Sequence, residues 1–282
     1  MKLLPSSELI NDALQRGYAI PSFCAWCFEA MKTILDTAEE LRAPVMVMNG
    51  WAEFPILGPR LIVPMTQALL ERYTIPAALH LDHGRSIEEV CSGIEAGYTS
   101  VMLDFSTKPF EENVRGMREV VDLSRPRDIT VEGELGAVGR VDEVTREGEG
   151  SSLTDPDSAR IFVRETGIDL LAVSIGNAHG VYRSLPSLDF ELLARLRDAV
   201  DVPLVLHGGS GTPDEDLKRA IALGIAKVNV ASELVNAVRN SLMEQWREGK
   251  NLWIPLAHAP ACSALAEVVR KWITRTGAAG RA

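Results

Sequence analysis

The stretch Pro203-Leu-Val-Leu-His-Gly-Gly-Ser-Gly-Thr-Pro-Asp214 passes from a short apolar run through a histidine and a glycine turn into an acidic helix start. An unbroken apolar run of this length suits a strand buried on both faces, as in a parallel sheet. A strand with one wet face would alternate instead. The same order recurs along the chain. Candidate strands are Ala19–Phe23, Pro44–Met48, Ala77–Leu81, Ser100–Leu103, Thr130–Leu135, Leu170–Ile175, Pro203–Leu206 and Lys227–Val230. Helical patterns fall between them over Phe28–Leu41, Ser86–Ala96, Phe110–Ser124, Asp155–Glu165, Phe190–Ala199 and Asp214–Leu223. Ser86 has the capping-box spacing to Glu89, and Thr212-Pro213 precedes an acidic first turn.

Repeated strand–helix units predict an α/β fold, a closed (β/α)8 TIM barrel, in preference to an open doubly wound sheet. No Gly-x-Gly-x-x-Gly follows the first strand, which weighs against a dinucleotide-binding sheet. Pro260–Thr276 reads as an extra C-terminal helix, and residues 1–282 are expected to form one domain. A chain of this length buries roughly three quarters of its unfolded surface, enough for one large core.

The formal net charge of −10, from 29 basic and 39 acidic residues, repels polyanions and excludes nucleic acid as a general partner. No apolar run reaches the ~20 residues that span a bilayer. The first residues lack the basic-then-apolar pattern of a secretory signal. No membrane association and a cytoplasmic location are therefore expected. Cys24 and Cys27 form a Cys-x-x-Cys after the first strand, either a redox pair or, like Cys91 and Cys262, plain thiols.

Five histidines occur: His80, His83, His179, His207 and His258. His83, His179 and His207 each fall where a strand is expected to end. Barrel strands present their C-terminal ends to one rim, so three such imidazoles would converge into an open metal site with a position left for water or substrate. Asp82 suits either proton transfer to a substrate oxygen or orientation of a metal ligand. Glu132 and Glu134 share a face of the fifth strand, either to serve a ligand or second cation or to form structural ion pairs. The glycine turn Val205–Gly211 and the segment Lys227–Ser232 each lead into a helix, and either cradle a phosphate or simply turn the chain. Gly136–Ser152 is a long polar loop, either plain surface or functional. These parts suit one chemistry. A Lewis-acid metal polarises a carbonyl and stabilises an enediolate, while a phosphate clamp holds the other end of the substrate.

The motifs Leu79-His-Leu-Asp-His-Gly84, Val131-Glu-Gly-Glu-Leu-Gly136, Ile175-Gly-Asn-Ala-His-Gly180, Val205-Leu-His-Gly-Gly-Ser-Gly211 and Lys227-Val-Asn-Val-Ala-Ser232 follow one another along the chain. In them the sequence resembles the class II fructose-bisphosphate and tagatose-bisphosphate aldolases over nearly its whole length. The resemblance implies a zinc-dependent aldehyde-lyase acting beside the carbonyl of a small phosphorylated ketone such as dihydroxyacetone phosphate. It implies zinc on His83, His179 and His207, a nearby carboxylate in Glu134, and Asp82 as proton donor to the aldehyde oxygen. Gly180, Gly208, Gly209, Ser210, Asn229, Val230, Ala231 and Ser232 would hold the ketone and its phosphate. A monovalent cation would lie nearby, and Arg183 stands where lysine is usual. A homodimer or homotetramer is also implied.

Several positions depart from the family pattern. Cys24 and Cys27 replace two asparagines that usually end the first strand, and Gly50 replaces a serine after the second. The family loop has Gly-Gly and then a proton-moving glutamate. Here it reads Gly139-Arg140-Val141-Asp142-Glu143, so Asp142 or Glu143 is the expected base. An Asp-Pro-Arg pattern near the C-terminus, whose arginine grips the far phosphate of a bisphosphate, is replaced by Trp253-Ile-Pro-Leu-Ala-His-Ala-Pro260. Losing a bidentate arginine removes a strong phosphate contact. The acceptor aldehyde is therefore expected to differ from glyceraldehyde 3-phosphate. The competing readings are an ordinary bisphosphate aldolase with Arg140 as substitute, a non-catalytic barrel that binds phosphorylated ligands or stabilises a partner, and isomerase or epimerase chemistry on the same enediolate.

Overall fold

Each of the apolar runs forms a strand in the computed structural model, which describes residues 3–139, 152–180 and 187–282. The strands are β1 (Ile20–Cys24), β2 (Val45–Gly50), β3 (Ala77–Gly84), β4 (Ser100–Leu103), β5 (Thr130–Leu135), β6 (Leu170–Val173), β7 (Leu204–Leu206) and β8 (Ile225–Val230). They pair in parallel in sequence order and β8 closes onto β1, with Ile20 opposite Lys227 and Phe23 opposite Val230. Helix α1 (Ser6–Arg16) precedes β1. Each strand is followed by a helix: α2 (Phe28–Glu40), α3 (Pro59–Leu70), α4 (Ile87–Ala96), α5 (Phe110–Ser124), α6 (Pro156–Thr166), α7 (Phe190–Ala199), α8 (Asp214–Ala222) and α9 (Ser232–Arg247). Helix α10 (Ile254–Arg275) ends the chain's regular structure. The fold is a TIM barrel with helices added at both ends of the chain.

Three local expectations change. Strand β6 stops at Val173, so His179 sits in the loop beyond it. Helix α10 starts at Ile254 and runs through Pro260, where a start was expected. Its buried stripe, from Ala257 and Ala261 through Leu265, Val269 and Trp272, continues across the proline, and burial of that stripe outweighs one lost backbone bond. At α8, Pro213 itself takes the cap position without a side-chain bond, and the Thr212 hydroxyl is buried without a partner. Ser86 does cap α4, accepting from the Glu89 N–H at 3.2 Å. Helices α1 and α3 were not anticipated. Helix α1 covers the N-terminal end of the barrel, where the Ser7 N–H donates to Thr130 Oγ1 at 3.0 Å and the Ser6 and Ser100 hydroxyls meet at 2.9 Å.

The apolar core lies between the strands and the helices. A Cβ on Gly133 would touch Phe162 of α6, so this face of β5 points outward, and its neighbours Glu132 and Glu134 point into the barrel. The barrel interior is correspondingly ionic. Lys227 Nζ on β8 reaches across to Glu132 Oε2 at 2.7 Å, both fully buried. Among the described residues no helix is long and apolar enough to cross a membrane.

Candidate metal centre and active site

The end of β3 builds one wall of the site. A Cβ on Gly93 of α4 would meet Leu81 at 3.2 Å, so Leu81 faces outward and His80 and Asp82 face the interior. The pairing of β3 with β4 slips between Leu81 and Gly84, and His83 adopts φ 48°. This irregularity brings two successive side chains to the mouth. Asp82 Oδ1 accepts from Asn229 Nδ2 at 2.8 Å and lies 3.6 Å from His80 Nε2. Burial opposes ionisation of Asp82, but His83, His80 and His207 hold it well below the usual carboxylate range.

His83, His179 and His207 converge. The ring centroids of His83 lie 4.9 Å from His179 and 4.8 Å from His207. One ligating atom from each of the three falls within 4.8 Å of the others. His83 Nδ1 is engaged by Asp104 Oδ2 at 2.7 Å and His207 Nε2 by Glu132 Oε1 at 2.8 Å. That leaves His83 Nε2 and His207 Nδ1 buried without a hydrogen bond, together with Glu134 Oε2. Glu134 Oε2 lies 3.1 Å from His207 Nδ1 without the alignment of a hydrogen bond. Buried polar atoms are almost always partnered. Three orphans around one point, two of them imidazole nitrogens whose opposite nitrogens are held by carboxylates, are what a divalent cation's donor set requires. Burial works against charge on His207, yet Glu132 and Glu134 raise its pKa. A cation at this point would take that proton's place.

The glycine turns lie beside this cluster. Gly208 sits at φ 63°, and a Cβ there would stand 2.0 Å from the Ala178 carbonyl oxygen. Ser210 Oγ accepts from the Glu233 N–H at 3.3 Å, joining the turn after β7 to the first turn of α9. Gly208→Ala is expected to cost about 1–3 kcal/mol in backbone strain, before the collision, and to displace His207 and His179 together. Thermal unfolding and zinc titration check this; an unchanged midpoint with unchanged affinity would contradict it.

A cavity of about 150 Å³ opens over the cluster, lined among others by Cys24, Glu53, Asp82, His179, Gly180 and Ser232. A larger depression of about 550 Å³ involves Arg160, Gly167 and Val202, at the N-terminal ends of the strands and away from this cluster. Burial, with the Glu53 and Asp82 charges, pushes the Cys24 thiol well up, the reverse of an activated redox cysteine. Cys24 and Cys27 are free thiols, and Cys27 takes the N-cap position of α2. Arg140, Asp142, Glu143 and Arg183 lie outside the described residues. Four contributors were given no role from the sequence: His80 and Lys227, which lie inside the quoted motifs, and Asp104 and Glu53, which do not. Asp104 follows β4 directly, so the strand-end rule that found the histidines also reaches it.

The family model described as fructose-bisphosphate aldolase class-II matches residues 5–281. The chain belongs to this family. The aldolase, a carbon–carbon lyase, is also similar to solved structures. The YdjI aldolase from Escherichia coli K12 is 38% identical with a TM-score of 0.88, covering 100% of both chains. A Coccidioides immitis protein assigned as a fructose-1,6-bisphosphate aldolase is 31% identical with a TM-score of 0.87, over 100% of this chain and 99% of that one. Fructose-bisphosphate aldolase from Campylobacter jejuni, 20% identical over 98% of this chain and 95% of its own, shares the fold at a TM-score of 0.84. Class II aldolases are typically metal-dependent, and this aldolase has a histidine cluster able to hold an ion.

Proposed function

We propose that this aldolase, one domain over residues 1–282, uses zinc on His83, His179 and His207 to join or split dihydroxyacetone phosphate and an aldehyde. The observation that carries the reading is the set of orphaned atoms on His83, His207 and Glu134 beside Asp82. Bound there, zinc supplies Lewis-acid polarisation of the ketone carbonyl. Asp104 and Glu132 hold the far nitrogens of His83 and His207, so that both rings aim their remaining nitrogens at one point. Asp82, kept ionised, accepts the hydroxyl proton in cleavage and returns it to the aldehyde oxygen in condensation. Asn229 orients it. Gly180, Gly208, Gly209, Ser210 and Val230 through Ser232 surround the ketone phosphate, with Arg183 and a monovalent cation adding charge. Asp142 or Glu143 moves the proton on carbon.

The acceptor is an aldehyde other than glyceraldehyde 3-phosphate. In support, residues 253–260 contain no arginine, and no arginine or lysine lines the cavity among the described residues. The exposed Trp246, Leu252, Trp253 and Leu256 support burial against a second copy in a homo-oligomer. The cytoplasm is the expected compartment. The test is hydrogen exchange at the carbon beside the carbonyl of dihydroxyacetone phosphate, followed by NMR in deuterated water with zinc present. The wild type is expected to exchange, and His83→Ala is not. No exchange from zinc-loaded wild type would overturn the reading.

A further inference from the structure

The cavity has two sides. Gly180, Ala231 and Ser232 enter from the ends of β6 and β8, the side assigned above to the ketone phosphate. Cys24, Gly50, Trp51, Glu53 and Asp82 enter from the ends of β1 to β3. Cys24 is paired with Met48 and Gly50 with Asp82, so these ends form one continuous wall.

Glu53 is the acid in this wall that no motif singles out. Its side chain folds back over the strand end, and Oε2 accepts the Gly50 N–H at 2.8 Å. Oε1 lies 3.8 Å from Cys24 Sγ. Glycine at position 50 lets β2 lie close against β3, because a Cβ there would stand 2.6 Å from the Asp82 carbonyl oxygen. Gly50, Cys24 and Glu53 thus meet at one point of the wall, and Cys24 and Gly50 are among the positions where this chain departs from the pattern it resembles. Arg85 stacks on the Trp51 ring at 4.8 Å and is paired with Glu89 at 3.0 Å.

A phosphate dianion on this wall would face Glu53 and Asp82 in partly buried surroundings, where like-charge repulsion is weakly screened. Burial first, and then the charge of Asp82, already push the Glu53 pKa up, so the wall resists further negative charge. Hydroxyl groups meet the opposite situation. A carboxylate accepts several hydrogen bonds, and those it accepts from hydroxyls are among the strong ones.

We propose that Glu53 is a specificity-determining residue, selecting an uncharged polyhydroxylated aldehyde as acceptor and turning away a phosphorylated one. The assignment rests on the aldolase reading above and names the acceptor class that reading leaves open.

The test compares glyceraldehyde with glyceraldehyde 3-phosphate as acceptors for dihydroxyacetone phosphate, in the zinc-loaded wild type, Glu53→Gln and Glu53→Ala. The wild type is expected to favour the uncharged aldehyde in kcat/KM. Both variants are expected to shift that preference at least tenfold towards the phosphorylated one, chiefly through the acceptor's KM. Donor hydrogen exchange is expected to stay within about twofold of wild type. An unchanged preference with intact donor exchange overturns the Glu53 assignment alone. Exchange present in the wild type and lost in both variants also overturns it, by placing Glu53 in the donor side or the fold. Absence of exchange in the wild type overturns the aldolase reading itself.

Discussion

His207→Ala is expected to abolish zinc retention and lower carbon–carbon lyase activity by roughly a thousandfold. His207 is fully buried, with one nitrogen held by Glu132 at 2.8 Å and the other left without a hydrogen bond. A Lewis-acid metal is worth several kcal/mol of transition-state stabilisation, which at about 1.4 kcal/mol per decade is of the order of 10³ in rate. Asp104→Asn provides the graded comparison. Asp104 acts through His83 Nδ1, and losing such an outer partner typically weakens a metal site ~10–100-fold. Metal content after dialysis, measured by mass spectrometry, should therefore fall in the order wild type, Asp104→Asn, His207→Ala. Stoichiometric zinc in His207→Ala would remove His207 from the ligand set, whatever its activity.

The difference between these two residues also marks how far sequence reasoning reaches. His83, His179 and His207 stand at or beyond strand ends beside glycine or aspartate, and closing a parallel barrel brings such ends to one rim. Local pattern plus one topological rule is enough to bring them together. Asp104 obeys the same rule but resembles any acid after a short strand. Lys227 and Glu132 are harder to pair. They belong to β8 and β5, which are not neighbours in the sheet, and their 2.7 Å contact depends on which face of each strand points inward. A one-residue change in strand phase would have sent both outward. Glu53 could not be read at all, because its placement follows from the turn after β2, where its carboxylate accepts the Gly50 N–H. The start of α10 was misplaced for a different reason: a proline at position 260 imitates a first-turn signal, while tertiary burial carries the helix through it.

Lys227→Met is expected to destabilise the metal-free protein by about 3–5 kcal/mol, the range for removing one partner of a buried ion pair. Lys227 Nζ lies 2.7 Å from Glu132 Oε2 and 3.4 Å from His80 Nε2, with no solvent exposure at any of the three. Burial opposes charge on Glu132, and Lys227, followed by His80 and His207, holds its carboxyl below the usual range. Without Lys227 that carboxylate keeps only the histidines. At ~2 °C per kcal/mol for a chain of this size, the unfolding midpoint should fall by roughly 6–10 °C. Glu132→Gln should also be costly, since it leaves the ammonium buried without its counter-charge. The double variant Lys227→Met with Glu132→Gln removes both charges and should recover part of the loss, giving a coupling of about 1–3 kcal/mol. Measuring all four proteins with a chelator present keeps metal binding from masking the result. A coupling near zero would mean that Lys227 and Glu132 do not stabilise one another across the barrel. Zinc affinity gives a second readout. Glu132 also holds His207, so Glu132→Gln should weaken zinc binding even where the double variant regains stability, separating the pair's role in the fold from its role in aiming the metal ligand.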